Sequence, residues 1–162
     1  MNRKELLVDW LNDAYAMEKA LIPVLENHAK DAKDHPMVKA KDEEHLAETR
    51  RHAELVEECL ARLGEKPSST KQMLGSIFGM LQAPMTGLAG DEIVKNFLTD
   101  FAAENFEIAC YEALVHAATE FGEPEIAATC RQILEEERRM AQWLQDHLPQ
   151  IVSEYAHEAT HA

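Results

Sequence analysis

The sequence predicts an all-α protein, a four-helix bundle built from two antiparallel helical hairpins. Three observations carry this. Apolar residues recur at helical spacing along four long segments. Glycines and prolines number only six each, and most of them sit in one stretch, which argues against a sandwich or barrel with its frequent turns. The connections run short, long, short. A length of 162 residues suits a single domain, residues 1–162.

The first helix is expected over residues 4–30, with Leu7, Leu11, Ala14, Leu21 and Leu25 as its stripe. Pro23 lies inside it and is expected to kink it, and the "KDHP" stretch ends it. The second, over 37–63, carries Val38, Leu55, Val56, Cys59 and Leu63, with Gly64 as its stop. The third, over 90–121, takes Asp91 as N-cap and buries Val94, Phe97, Phe101, Ile108, Tyr111 and Val115. Gly122 closes it. The fourth, over 124–148, starts on Pro124, where a proline costs little, and carries Ile126, Cys130, Ile133, Leu134, Leu144 and Leu148. Pro149 is its expected limit, and the polar tail 150–162 is expected to fray.

The connection over residues 64–89 is long and partly apolar ("MLGSIFGMLQAPM"). A hairpin, a long crossover and a second hairpin make the ferritin-like variant of the four-helix bundle. An up-down bundle with a loose loop is the alternative, and the apolar character of the connection speaks against it.

Charge narrows the partners. Lys and Arg total 16 against 30 Asp and Glu, a formal net charge of −14. Such a chain repels phosphate backbones and anionic membranes and gathers cations. The N-terminus lacks a signal-peptide pattern, because Glu5, Asp9 and Asp13 interrupt any apolar run. No run of 18 uncharged apolar residues offers a membrane span. Cys59, Cys110 and Cys130 have no CxxC spacing and read as reduced thiols of a cytoplasmic protein, with Cys59 and Cys110 packing as small apolar residues.

The strongest signal lies within the stripes. Glu18 falls between Ala14 and Leu21, and His45, Glu48 and His52 fall between Val38 and Leu55. Glu104 and Glu107 fall between Phe101 and Tyr111, and Glu137 between Ile133 and Leu144. Each sits near the middle of its helix, so antiparallel packing brings them to one level. A carboxylate buried without a partner is costly, and these positions offer no Lys or Arg. Divalent metal neutralises such a cluster, and oxygen with imidazole ligands suits iron, manganese or zinc. His45 reads as a ligand, as a residue behind the ligands or as a satisfied core histidine, with the last two together preferred. Glu136 replaces Glu137 if the helical register shifts by one. Tyr111, one turn past Glu107, is the aromatic residue placed to stand beside a metal. Glu154 and His157, in the tail, read as a solvated pair.

The segments "DAYAMEKAL", "HLAETRRH", "ENFEIACYEAL" and "ILEEERR" resemble the ferritin-like YciE/YciF bacterial stress-protein family, itself similar to rubrerythrin-type di-iron bundles. The resemblance covers nearly the whole chain except the crossover and tail. It implies a dimer, a role in stress response and metal ligands at Glu18, Glu48, Glu104, Glu107 and Glu137, with His52 where relatives have His or Gln. The chain departs from the usual pair of Glu-x-x-His elements. Met140 stands at i+3 from Glu137 and Ala141 follows it, so one metal position is expected to be short of a protein ligand.

The expected centre holds two iron ions per chain, with manganese as second choice. Glu48 bridges, Glu18, Glu104 and His52 serve its ends, and Glu137 with Glu107 completes the other side. Three functions follow from this reading: an oxidoreductase acting on oxygen or peroxide, a metal-binding or storage protein without turnover, and a structural stress protein with a degenerate site. No nucleotide or flavin motif is present, so electrons would come from an unknown partner or a small reductant. The apolar "GSIFGMLQAPMTGLAG" stretch points to a homodimer.

Overall fold

Local chemistry sets the helix ends. In the computed structural model, which describes residues 2–68 and 91–161, four helices form. They are α1 (Arg3–Asp31), α2 (Pro36–Arg62), α3 (Glu92–Phe121) and α4 (Pro124–His161), with a 3-10 turn, Ala32–Asp34, between the first two. The chain opens α1 with a capping box. Asn2 Oδ1 accepts from the Glu5 amide at 2.9 Å, and the Asn2 amide donates to Glu5 Oε2 at 2.8 Å. Pro36 occupies the first turn of α2, where its missing N–H leaves nothing unmet. Asp91 stands at the N-cap of α3 but does not cap it with its side chain, which lies 2.6 Å from Lys95 Nζ.

The turn between α3 and α4 needs a left-handed residue. Gly122 has φ +79°, which lets the Glu123 amide donate back to the Ala118 carbonyl at 2.8 Å. A Cβ there would meet nothing within 4 Å, so a substitution pays only in backbone conformation. Gly122→Ala is therefore expected to destabilise the fold by about 1 kcal/mol. Thermal unfolding checks this, and an unchanged midpoint would contradict it.

The tail is a correction to the sequence reading. α4 does not stop at Pro149 but runs on to His161. Proline inside a helix removes one backbone hydrogen bond and bends the chain, a cost that packing can offset. Here Ile151 is only 1% exposed and packs with Ala32, Val38, Ile93, Phe97, Met140 and Leu144. Burying such a side chain returns about 1.5–3 kcal/mol. Glu154, read as solvated, reaches back toward His35 Nδ1 at 3.8 Å.

Side-chain pairs give the helix directions. His28 of α1 meets Asp100 of α3, while Glu18 meets Tyr111, so these two helices are antiparallel. His35, at the N-cap of α2, and His52 within it meet Glu154 and Glu136 of α4, so that pair is antiparallel too. Both hairpins are antiparallel, with α1 on α2 and α3 on α4. It follows that α2 and α3 run parallel, and the chain between them must travel the length of the bundle, roughly 40 Å for helices of this size. This is the ferritin-like topology expected above. Most of the crossover, residues 69–90, lies outside the described residues. No described helix is long and apolar enough to cross a membrane.

The core divides in two. One apolar block, with Leu7, Leu11, Val56, Leu60, Leu114, Ile126 and Ile133, fills one part of the bundle. A smaller block around Val38, Phe97, Leu144 and Ile151 fills the opposite end. Between them lies a polar layer.

Candidate metal centre

Each helix contributes to this layer from its middle. Glu18 comes from α1, His45 and His52 from α2, Glu104 and Glu107 from α3, and Glu137 from α4. All six are at most 1% exposed. Residues 45 and 52 lie seven apart on α2, about 20° out of line, so their rings project into the same layer one above the other.

The distances divide the layer into two groups. In one, His52 Nδ1 stands 2.8 Å from Glu137 Oε1 and 3.8 Å from Glu18 Oε1. In the other, His45 Nε2 stands 2.8 Å from Glu104 Oε1 and 3.9 Å from Glu137 Oε2. Within each group the three donor atoms lie within 4.8 Å of one another. Glu137 belongs to both, one oxygen toward each. Glu107 lies in neither group, yet its two oxygens are buried in the same layer with no hydrogen bond.

The layer is poorly served by its own hydrogen bonds. Glu18 Oε2, Glu104 Oε2, both oxygens of Glu107 and Glu137, His45 Nε2 and His52 Nδ1 all lack one. The 2.8 Å contacts of the two imidazoles are close but not directed as hydrogen bonds. Each such orphan costs about 1–3 kcal/mol, so a core holding this many is stable only if something else meets them. Cations placed between the oxygen and imidazole donors would do so, and the residues present fit iron, manganese or zinc.

Electrostatics describe how the layer stands with protons alone. Burial pushes the Glu104 and Glu107 carboxyls well above the usual carboxylate range. Burial and the nearby charge of Glu137 raise Glu18 to about 8. Burial also works against charge on Glu137, but the close approach of His52 and the two imidazolium charges win and hold it below its ordinary value. His52 is raised to about 9 because its pairing with Glu137 and Glu18 outweighs its burial. His45 is raised well above its ordinary value, Glu104 outweighing burial. Without metal, then, the layer is neutralised by protons, with Glu137 as its central negative charge.

The remaining candidates take supporting places. Glu48, expected to bridge, is 25% exposed and lies 3.4 Å from the Nδ1 of His45, outside both groups. Glu136 does not take the place of Glu137; its carboxylate lies 2.6 Å from the Nε2 of His52. Tyr111 donates a 2.5 Å hydrogen bond to Glu18. His45, for which a supporting or core role was preferred, faces Glu104 and Glu137. Met140 is buried among apolar residues and brings no donor to the layer.

The sequence reading missed a neighbouring cluster. His28 Nδ1 lies 2.8 and 3.0 Å from the two oxygens of Asp100. Asp42, 3% exposed, is raised to about 7 by burial and by Asp100. Asp42 stands one turn before His45 and Asp100 one turn before Glu104. Extending the search for mid-stripe acids by one turn would have found both.

Comparison with known proteins agrees with this fold. The family described as Domain of unknown function (DUF892) matches residues 2–157. A crystal structure of a protein from Xanthomonas campestris pv. campestris is 34% identical, covers 99% of each chain and superposes with a TM-score of 0.85. The E. coli stress protein YciF is 22% identical over 94% of this chain and 98% of that one, with a TM-score of 0.81. A bacterioferritin of Desulfovibrio desulfuricans, known with its diiron site, is 24% identical over 93% of this chain and 82% of its own, with a TM-score of 0.74. At those identities the last two share the fold.

Proposed function

The chain belongs to the DUF892 family, a domain of unknown function, and from that premise we propose that it is a metal-binding stress-response protein with a carboxylate-bridged dinuclear centre, iron by preference and manganese second. One observation carries the reading. Glu137, 0% exposed and with no hydrogen bond to either oxygen, shares one oxygen with each of two three-donor groups. The two groups then hold the two ions: Glu18, His52 and Glu137 one, His45, Glu104 and Glu137 the other. Glu107 is available to either.

The charges support two divalent ions. Glu18, Glu104, Glu107 and Glu137 carry four negative charges when ionised, and the neutral imidazoles none, so two doubly charged cations balance them. Glu48 and Glu136 engage the outer nitrogens of His45 and His52, which turns the inner nitrogens toward the layer. Tyr111 holds Glu18 by one oxygen and leaves the other free. The apolar blocks on both sides keep bulk water away, which strengthens every charge interaction inside. Iron bound there supplies redox chemistry toward oxygen or peroxide, and electrons come from a partner or small reductant.

Elemental analysis of protein purified without chelator tests the centre. About two ions per chain are expected, as in other di-iron bundles. About one points to a degenerate site, and none defeats the proposal. Incubation with ferrous iron and air then separates functions: catalytic peroxide consumption favours the oxidoreductase, stoichiometric oxidation favours storage without turnover. The protein is further proposed to be cytoplasmic, on its odd and scattered cysteines, and a homodimer, on the apolar composition of its crossover. A monomeric mass by light scattering at micromolar concentration would defeat the dimer.

A further inference from the structure

The register that aligns the polar layer also aligns two cysteines. His52 of α2 faces Glu137 of α4. In an antiparallel pair, moving seven residues forward on one helix and seven back on the other keeps the same faces together, since seven residues complete nearly two turns. That step leads to Cys59 and Cys130. Both belong to the larger apolar block, at 1% and 0% exposure, and both are free thiols. They are neighbours across the two helices, near enough for each thiol to shift the other's protonation. Cys110 lies elsewhere, on α3, half-buried.

We propose that Cys59 and Cys130 form a peroxide-responsive dithiol that closes into a disulfide joining α2 to α4. A buried cysteine can simply pack as a small apolar residue. Two buried cysteines that face one another from different helices, at one level of the same apolar block, are a different matter, because neighbouring thiols can join. The two sulfurs are also unlike each other. The neighbouring Cys130 thiol lowers the Cys59 thiol below its ordinary value despite burial, helped by the Thr129 hydroxyl and the positive charge of Arg62. The neighbouring Cys59 and burial push the Cys130 thiol up. Cys59 is thus the nucleophile and Cys130 the resolving thiol.

The reaction balances with hydrogen peroxide as oxidant. The Cys59 thiolate attacks one peroxide oxygen, the O–O bond breaks, and the departing hydroxide takes up the proton Cys59 released, leaving as water. Cys59 is then a sulfenic acid. The Cys130 sulfur displaces its hydroxyl, the S–S bond forms, and the hydroxyl leaves with the Cys130 proton as a second water. Two thiols lose two electrons and two protons, and one peroxide becomes two waters. Access comes through the end of the helix: Cys59 lies three residues before the last residue of α2, Arg62, where a bundle opens most readily. The bond would tie the first hairpin to the second across the whole crossover, and closing so long a loop constrains the unfolded chain strongly.

The test treats the reduced full-length protein with millimolar hydrogen peroxide, blocks remaining thiols and maps peptides by mass. The expected result is loss of two thiols per chain, a Cys59–Cys130 linked peptide lighter by two hydrogens, and a higher thermal midpoint that reductant reverses. Cys110→Ser should behave as wild type, and Cys59→Ser or Cys130→Ser should lose the linked peptide. The peptide map of the unaltered protein decides the matter even if a variant folds poorly. Retention of both thiols, or oxidation confined to Cys110, overturns the proposal.

Discussion

Glu137→Gln is expected to empty both metal positions, lowering bound metal from about two ions per chain to near zero. The substitution keeps the volume of the side chain, so the bundle should still fold, while the one carboxylate common to both donor groups is lost. Glu48→Ala should lower metal content less, because Glu48 lies outside both groups and acts through His45. Glu154→Ala, in the last turns of α4, should leave it unchanged. Elemental analysis of the three variants beside the parent protein measures this. A Glu137→Gln protein that keeps its full complement would remove Glu137 from the centre.

The second large effect is on the pH dependence of stability, which should reverse between the metal-free and loaded forms. In the metal-free protein the folded state holds protons that the unfolded chain releases. Glu18 is raised from 4.5 to about 8 and His52 from 6.5 to about 9, with Glu104, Glu107 and His45 raised as well. Their stabilising contribution is fully present below the ordinary values and is lost as pH rises through the folded ones. Glu137 in the layer and Glu48 beside it, both held low, have the opposite sign. The metal-free protein should therefore lose stability from about pH 5 to about pH 9, by about 1.4 kcal/mol per pH unit for each extra proton the folded state holds. Metal replaces these protons, so its binding should tighten over the same range and release several protons per chain into unbuffered solution. The added stability follows from binding to the folded state alone. Chemical denaturation at several pH values, with and without ferrous iron, gives both slopes. Curves that coincide at every pH would mean an acidic core that holds protons and no metal.

The fold was legible because it rests on local rules. Helical periodicity, the glycines at 64 and 122 and the lengths of the connections are read one segment at a time, and they sufficed for four helices and the crossover topology. The polar layer was legible as a violation: an acid in the middle of an apolar stripe must be met by something. Which acids meet at a point was not legible. Glu48 lies about 60° around α2 from His45 and about 40° from His52, enough to turn it toward the rim while both histidines point inward. The rotation of a helix about its axis is set by packing against its neighbours, not by its own sequence. For the same reason Glu137 rather than Glu136 became the shared carboxylate, since adjacent residues differ by about 100°. The continuation of α4 past Pro149 was decided by Ile151, whose burial depends on Val38 and Phe97 from other helices. Cys59 and Cys130 come to one level of the core only because α2 and α4 pack antiparallel in one register. Local chemistry determined the elements and the presence of a buried charge problem; tertiary packing alone decided which side chains share it.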